Sequence, residues 1–283
     1  MVYKYSIPLL LALALLVNCV NFPVYTTIAP EEKPANADAA AQNQAPNNDF
    51  DGPPAETIVS PDPAKKVYLT FDDGPNSHYT GLILDILKKY NIKASFSVIG
   101  NTIDNNPDVF RRIISEGHGV VNHTYSHDYK KIYASPEAFL IDLEKCNQSI
   151  VKLTGSDVKV FRAPGGPSKL DKKYYDLLSK YGYISLGWNV TSADSDPNGV
   201  TADQICSNIE NGVLFIEKAK KAPIILMHDG SEINTGPGAP GPAVQNYIRS
   251  RESDIQALPK IIEFLQTRGY TFAAVDEKTP PAW

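Results

Sequence analysis

Short apolar runs alternate with longer amphipathic segments from residue 65 to the end of the chain. The short runs are rich in β-branched residues, which is typical of buried strands, and the longer segments place apolar residues at helical spacing. The predicted strands are residues 67–71, 94–99, 119–122, 160–162, 183–188, 224–227 and 271–275. The predicted helices are residues 79–90, 106–116, 136–153, 172–181, 202–220 and 254–268. This alternation predicts βαβ units and a parallel sheet, and about seven strands favour a complete or incomplete (β/α) barrel.

The first 22 residues have a different pattern. Lys4 precedes an unbroken apolar run over residues 7–17, which is short for a bilayer span and has the length of a signal-peptide core. The sequence Leu16-Val17-Asn18-Cys19 is similar to a bacterial lipoprotein cleavage box, in which the cysteine carries the lipid. We therefore expect an exported protein with Cys19 as the candidate lipid anchor in the cell envelope. A secreted form without an anchor and an uncleaved membrane anchor remain alternatives.

A linker separates this segment from the predicted folded domain. Residues 23–64 are rich in Pro, Ala, Asn and acidic residues and have almost no apolar periodicity. Such a segment buries too little apolar surface to offset the entropy of ordering it, so we expect a disordered tether. The chain then divides into a signal or anchor segment over 1–22, a linker over 23–64 and one domain over 65–283.

Composition narrows the class of partner. The chain has 283 residues and a formal net charge of −5, and it has no block rich in Lys and Arg. Because nucleic-acid binding depends on neutralising phosphates, we expect no nucleic-acid partner. Cys146 and Cys206 are either a disulfide pair in an oxidising compartment or two separate buried thiols. The oligomeric state stays open, with a monomer as the default.

Ionisable residues stand where the predicted strands end. They are Asp72 and Asp73 after the first strand, His123 after the third, Arg162 at the end of the fourth, Asp194 beyond the fifth and His228 after the sixth. Taken singly, each has an ordinary explanation, such as a turn, a solvated face or a buried ion pair. In (β/α) barrels, however, the carboxyl ends of the strands carry the active site, so the shared position predicts a single site.

Two of these motifs together supply a set of metal ligands. His123 and His127 offer two imidazoles, and the pair Asp72 and Asp73 offers a carboxylate. Three protein ligands and an open position are typical of a catalytic Zn²⁺ site, which generates hydroxide near neutral pH. The second aspartate is then left over as a candidate base. The first hypothesis from the residues is therefore a metal-dependent hydrolase.

The ordered motifs of the chain resemble those of the polysaccharide deacetylases, also called carbohydrate esterase family 4 or the NodB homology domain. The motifs are Thr70-Phe71-Asp72-Asp73-Gly74-Pro75, His123-Thr124-Tyr125-Ser126-His127, Arg162-Ala163-Pro164-Gly165, the segment 188–194 with Trp188 and Asp194 at its ends, and Leu226-Met227-His228. The resemblance spans about residues 65–275. It implies the distorted (β/α) barrel of about seven parallel strands that this family has.

The resemblance also implies a role for each ionisable residue. Asp73, His123 and His127 bind a divalent metal, with Zn²⁺ as the first expectation and Co²⁺, Mn²⁺ or Ni²⁺ as alternatives.

The other four ionisable residues carry the proton transfers in this scheme. Asp72 is the general base, paired with Arg162, and His228 is the general acid, positioned by Asp194. Hydrolysis of an amide needs both groups, because water must lose a proton and the poor amine leaving group must gain one. Unlike environments suit an acid and a base to these opposite tasks.

The same resemblance assigns three residues to the substrate. The backbone N–H of Gly165 binds the oxyanion, and Trp188 and Leu226 wall the pocket for the acetyl methyl group. Two departures from many family members open the cleft. Gly165-Gly166 stand where an aromatic residue follows the proline of the third motif, and Ser195 stands where tryptophan follows the aspartate of the fourth.

These expectations combine into a metal-dependent hydrolase that removes N-acetyl groups from a polysaccharide. Peptidoglycan, at its N-acetylglucosamine or N-acetylmuramic acid residues, is the expected substrate, because a tethered enzyme acts on a polymer fixed in the same envelope. The alternatives are an O-acetyl esterase acting on an acetylxylan-like polymer and a non-catalytic glycan-binding protein on the same scaffold. The Gly- and Pro-rich segment 230–244 follows His228, and we expect a lid, a substrate-contacting loop or a surface insertion without a function there.

Overall fold

The structure is a computed structural model that describes residues 65–230 and 241–282. The predicted signal segment with Cys19 and the predicted linker lie outside the described residues, as does most of the loop predicted over 230–244. Within the described ranges, no helix is both long and apolar enough to cross a membrane.

The described residues form eight strands and eight α-helices, and strands and helices alternate along most of this part of the chain. The strands are β1 (Lys66–Asp72), β2 (Ser95–Val98), β3 (Gly119–Asn122), β4 (Val160–Phe161), β5 (Ile184–Ser185), β6 (Val190–Thr191), β7 (Ile224–His228) and β8 (Thr271–Phe272). The helices are α1 (Tyr79–Lys89), α2 (Gly100–Asn105), α3 (Pro107–Ser115), α4 (Tyr129–Ile132), α5 (Pro136–Thr154), α6 (Lys172–Lys180), α7 (Ala202–Lys218) and α8 (Pro242–Thr267). A 3₁₀ turn spans Pro167–Lys169.

All strand pairs are parallel, in the order β5-β4-β3-β2-β1-β7-β6, and β8 pairs with the start of β1. Across the described residues the ladder does not join its end strands β5 and β6, so the sheet is a curled half-barrel with an open side. This architecture confirms the predicted distorted (β/α) barrel.

Side-chain alternation along β1 separates two environments. Val67, Leu69 and Phe71 belong to the large core between the sheet and the helices. Tyr68 faces the other way, into a cluster with residues of β3, β4 and β7 that also includes Val275 from the C-terminal segment. Because successive strand residues point to opposite faces, Thr70 and Asp72 lie on the same inner face as Tyr68, towards the carboxyl end of the strand. The inner row of β1 therefore ends in a carboxylate.

The helices and strands that the sequence did not predict are short or bury polar side chains. The strand β6 and the helices α2 and α4 have two to six residues each and were not predicted. Helix α8 begins at Pro242, twelve residues before its predicted start at residue 254. Its first half buries Ser250, Arg251 and Ser253, so apolar periodicity gives no signal there. The residues from Pro242 onward that were expected in a loop belong to this helix.

The two cysteines of the domain lie apart. Cys146 is buried in α5, and Cys206 is buried in α7, and both are free thiols. Cys146 Sγ lies 3.6 Å from the carbonyl oxygen of Val98, and Cys206 Sγ lies 3.9 Å from that of Ala257. Of the two interpretations left open by the sequence, separate buried thiols is the correct one.

Candidate active site

The end of β1 places two neighbouring carboxylates in different directions. Asp72 is the last residue of the strand, and its backbone carbonyl accepts hydrogen bonds from the N–H groups of Asp229 and Gly230. Asp73 follows with φ 77°, a left-handed conformation that is uncommon outside glycine. The chain turns sharply there, so the Asp72 carboxylate meets Arg162, whereas the Asp73 carboxylate meets two histidines.

Asp73, His123 and His127 converge on one point. Asp73 Oδ1 lies 3.3 Å from His123 Nε2 and 3.4 Å from His127 Nε2, and one ligand atom from each of the three lies within 4.8 Å of the others. His123 Nδ1 lies 2.8 Å from the carbonyl oxygen of Arg162, which can only accept, so Nδ1 donates and Nε2 is the ring nitrogen that faces Asp73. Burial by itself raises the pKa of Asp73, but the surrounding histidines, led by His123, lower it well below its usual range.

The loop that carries both histidines is held by side-chain bonds. Asp142 Oδ1 on α5 accepts hydrogen bonds from the backbone N–H groups of Tyr125, at 2.6 Å, and Ser126, at 2.8 Å. Thr124 and His127 have φ values of 67° and 51°, so this short loop has two left-handed residues. Such conformations persist where the surrounding structure enforces them, and they are common at functional sites.

The Asp72 side of the site is a buried ion pair within the barrel. Arg162, fully buried just after β4, donates from one terminal nitrogen to Asp72 Oδ1, at 2.6 Å, and to Thr70 Oγ1, at 2.9 Å. Its other terminal nitrogen donates to the carbonyl oxygen of Gly187, at 3.1 Å. The ring of Trp188 lies 5.6 Å from the guanidinium carbon. These contacts fix the orientation of the Asp72 carboxylate.

The His228 side is a second buried pair. His228 Nδ1 lies 2.7 Å from Asp194 Oδ1, and the backbone N–H of His228 donates to Asp194 Oδ2, at 2.7 Å. Burial lowers the pKa of an imidazolium, but the negative charge of Asp194 outweighs burial and raises the pKa of His228 to about 9. Burial alone raises the pKa of Asp194, but the charges of His228 and Arg251 hold it well below its usual range. His228 is therefore a cation near neutral pH.

Comparison with known proteins now identifies the family. A family model described as polysaccharide deacetylase matches residues 60–186. A chitooligosaccharide deacetylase of Rhizobium leguminosarum bv. trifolii is 31% identical over 219 residues, which cover 75% of this chain and 91% of that protein. The chain belongs to the polysaccharide deacetylase family. A peptidoglycan-N-acetylglucosamine deacetylase of Bacillus cereus is 30% identical over 219 residues, 77% of this chain and 89% of that one.

Solved structures agree with this assignment. The catalytic domain of a peptidoglycan N-acetylglucosamine deacetylase from Eubacterium rectale is similar to this deacetylase with a TM-score of 0.63 and 30% sequence identity, over 80% of this chain and 96% of that one. The resemblance that the motifs indicated is therefore confirmed, and the protein is a polysaccharide deacetylase of carbohydrate esterase family 4.

The sequence did not indicate two buried residues of α8 that complete the His228 side of this deacetylase. One terminal nitrogen of Arg251 donates to the backbone carbonyl of Asp194, at 3.0 Å, and lies 3.1 Å from Asp194 Oδ2. The same nitrogen lies 3.3 Å from Asp254 Oδ2. Burial and the charge of Asp194 raise the pKa of Asp254 well above its usual range. The i,i+3 spacing of Arg251 and Asp254, beside Ser250, was the available signal.

Asp229 is another buried residue at the site that the sequence did not indicate. It is fully buried beside His228, and its Oδ2 accepts a 2.5 Å hydrogen bond from Thr80 Oγ1, which itself accepts from the N–H of Asn76 at 2.7 Å. A Cβ on Gly74 would lie 2.1 Å from Asp229 Oδ2, so that position has no room for a side chain. Burial raises the pKa of Asp229 to about 7. Asp229 and Thr80 together brace the turn that carries the two aspartates.

The three predicted substrate residues lie in two places. Gly165 is exposed, and both it and Trp188 line the same surface cavity. Leu226 is nearly buried in β7, where it is the register partner of Thr70. The structure thus brings Gly165 and Trp188 together, while Leu226 lies on the strand that also carries His228.

Proposed function

We propose that this deacetylase is exported, depends on a divalent metal and removes N-acetyl groups from peptidoglycan. One observation supports the proposal most directly: Asp73, His123 and His127 converge beside two buried ion pairs. One pair offers the Asp72 carboxylate as a base, and the other offers the His228 imidazolium as an acid. The choice of peptidoglycan is supported by the B. cereus relative, which is named for that substrate, and by the predicted tether. Export, and lipid attachment at Cys19 within the cell envelope, are supported by the pattern of the first residues.

Asp73, His123 and His127 are the residues that would hold the metal. Two imidazoles and a carboxylate, all close to buried, are a donor set that suits Zn²⁺ and leaves a position open, and Co²⁺, Mn²⁺ and Ni²⁺ accept the same donors. The proton on His123 Nδ1 is held by the Arg162 carbonyl, which directs Nε2 to the site. A cation bound there supplies a positive charge that polarises the acetamide carbonyl and lowers the pKa of water.

Asp72 is proposed as the base. Its carboxylate takes a proton from the water that attacks the carbonyl carbon, and Arg162 keeps that carboxylate oriented through the 2.6 Å bond. The Arg162 side chain is fully buried and has three acceptors, so it holds its position during the reaction.

His228 is proposed as the acid. When the C–N bond breaks, the imidazolium donates its proton to the departing nitrogen, and the products are acetate and a free amino sugar. Asp72 and His228 are register partners on the neighbouring strands β1 and β7, so the base and the acid lie on the same rim. The backbone N–H of Gly165 is proposed to donate to the oxyanion, and Trp188 and Leu226 to bound the acetyl methyl group.

The test uses the purified full chain. We expect acetate release from peptidoglycan and from N-acetylglucosamine oligomers, its loss after chelation and its return with Zn²⁺ or Co²⁺. Binding of Co²⁺, followed by its visible absorption, is expected to weaken strongly in His123→Ala and to persist in His118→Ala, a histidine outside the ligand set. Acetate release from acetylxylan without release from amino-sugar polymers would instead establish the esterase alternative. Undiminished release by Asp72→Asn would overturn the proposed mechanism.

A further inference from the structure

A second cavity, of about 470 Å³, lies at the end of the barrel where the strands begin. Its lining contains five basic residues and a single carboxylate, that of Glu217. The basic residues are Lys65, Lys66, Lys220, Lys221 and Arg268. They come from three separate segments of a chain whose net charge is −5, so it is the fold that gathers them. We call this site the basic cavity.

Glu217 balances only part of this charge. Its Oε1 lies 2.7 Å from Lys65 Nζ, and it also accepts hydrogen bonds from the guanidinium of Arg268. Lys65 donates in addition to the carbonyl oxygen of Arg268, at 2.8 Å. Burial by itself raises the pKa of Glu217, but the hydrogen bonds, led by that from Arg268, lower it to about 2. One anion therefore serves two cations on this side of the basic cavity.

The other three cations of the basic cavity have no partner of opposite charge within the described ranges. Lys66, Lys220 and Lys221 are exposed and make no ion pair there. Cations are favourable after the carboxyl end of a helix, which accounts for Lys220 and Lys221 after α7. It does not account for Lys66, which begins strand β1. Like charges around a concave surface repel one another, and a bound anion removes that repulsion.

The turn after α7 fixes the backbone of two of these lysines. The N–H of Lys220 donates to the carbonyl oxygen of Glu217, at 2.9 Å, and the N–H of Lys221 donates to that of Ile216, at 3.3 Å. Lys220 has φ 55°, at the position after a helix where a left-handed glycine is usual. A side chain in this conformation is unfavourable, so the turn itself gives no reason for a lysine.

The basic cavity and the active site lie at opposite ends of the barrel. Strand β1 runs over seven residues from Lys66, which lines the basic cavity, to Asp72, the proposed base. At about 3.3 Å per residue, the strand separates the two residues by roughly 20 Å. Because every strand pair is parallel, all strands begin at the end with the cavity. The basic cavity is therefore a separate site.

Two observations favour a membrane surface over a soluble anion at this end. The predicted tether, residues 23–64, joins the domain at Lys65, which itself lines the basic cavity. In addition, Phe215 in the last turn of α7 is 70% exposed, at the end of the helix that leads into Lys220 and Lys221. An exposed aromatic ring together with cations is typical of surfaces that bind a membrane interface. A small soluble anion would engage the cations but not the ring.

We propose that the basic cavity binds the phosphate group of an anionic phospholipid and holds this end of the barrel on the membrane surface. Held in this way, the rim with Asp72 and His228 faces away from the membrane, towards the glycan. The proposal rests on the proposed function, because it assumes that the protein is exported to the cell envelope. It adds a defined orientation of the catalytic domain.

The experiment measures how fast an amine-reactive reagent labels individual lysines of the full chain in the presence of vesicles, with mass spectrometry as the readout. Vesicles of phosphatidylcholine are compared with vesicles of phosphatidylcholine and phosphatidylglycerol in equal parts. We expect the labelling of Lys66 and Lys221 to be roughly 5-fold slower on the anionic vesicles, and to recover at high salt. Lys173, exposed in the first turn of α6 at the active-site end, is the internal control and is expected to keep its rate.

The variant that tests the site combines Lys220→Gly with Lys221→Gln. Glycine suits the φ of 55° at residue 220, so the melting temperature is not expected to fall. The slower labelling of Lys66 on anionic vesicles is expected to disappear. The matched control combines Lys172→Gln with Lys173→Gln, which removes two adjacent exposed lysines at the opposite end of the barrel and is expected to keep that slowing. Both variants are expected to release acetate from soluble N-acetylglucosamine oligomers at the wild-type rate.

Equal labelling of Lys66 on the two kinds of vesicle would overturn the membrane site. Slowing by a soluble glycerol phosphate polymer, without slowing on anionic vesicles, would overturn it in favour of an anionic polymer as the ligand. The proposed function has other readouts. It fails if the wild type releases no acetate from any N-acetylglucosamine oligomer, or if cells retain the protein in the cytoplasm.

Discussion

The two ion pairs of the candidate site are built from different parts of the molecule. On the Asp72 side, Arg162 and Thr70 come from strands or strand ends, and the cation contacts a single carboxylate. On the His228 side, Asp194 holds the imidazole and is itself held by Arg251 from α8. Asp194 is therefore paired with His228 from a strand and with Arg251 from a helix, whereas Asp72 is paired with Arg162 from a strand end.

The difference matters because the two sides have opposite tasks. A base is effective when its proton affinity is low enough to leave it ionised, and an acid when its proton affinity is high enough to keep it charged. On the His228 side, His228 and Arg251 keep Asp194 an anion, and the charge of Asp194 raises the pKa of His228 to about 9 against the opposing effects of burial and of Arg251.

The largest effect is expected from Asp72→Asn. This change removes the proposed base and leaves the Arg162 cation buried without its carboxylate, so kcat is expected to fall about 1,000- to 10,000-fold. The measurement is acetate release under saturating substrate. Asp108→Asn, which alters a carboxylate with 93% of its side chain exposed, is the matched control and is expected to retain activity.

The next largest effect is expected from Asp194→Asn, with a loss in kcat of about 100- to 1,000-fold. Because the pKa of His228 is raised to about 9, the wild type keeps its proposed acid charged below that pH and loses activity as the pH rises through it. An amide cannot supply the negative charge that raises this pKa, so the alkaline limb of the kcat profile is expected to move to lower pH. An alkaline limb that stays at the same pH would show that Asp194 does not set the pKa of His228.

A smaller effect on activity is expected from Arg251→Met, which removes the helix support of the same side. We expect kcat to fall about 10-fold with KM retained, because the residue acts through Asp194 and touches no substrate. The change removes a buried cation and leaves the carboxyl groups of Asp194 and Asp254 without it. The free energy of unfolding is therefore expected to fall by about 3–5 kcal/mol. Arg251→Lys keeps the charge and is expected to recover part of kcat. A change in KM alone would contradict a positioning role.

The smallest effect is expected from Thr80→Val, which acts on both sides at once. Thr80 links Asp229, next to His228, to the turn after Asp72 through two hydrogen bonds. Loss of these bonds is expected to lower the free energy of unfolding by about 1–3 kcal/mol, measured by denaturant titration. Activity is expected to fall only severalfold. A selective shift of the pH profile would show that the brace belongs to one side alone.

The parts of the fold that could be predicted are those whose buried face is apolar. Strand β1 and helix α5 are long and periodic, and their predicted bounds differ from the observed ones by one residue at most. The first half of α8 was missed because it buries polar side chains, which a search for apolar periodicity reads as a loop. The missed helix is also the one that carries Arg251 and Asp254.

The sequence by itself determined the family, the strand–helix alternation and the residues that stand at the ends of the strands. These properties depend on local pattern and on short ordered motifs, which survive without knowledge of distant contacts. Only the tertiary structure decided which partners surround those residues. Arg251 contacts Asp194, 57 positions away in the chain, because folding brings α8 to the rim of the barrel. Such long-range contacts depend on packing in three dimensions, for which a single sequence contains no periodic signal.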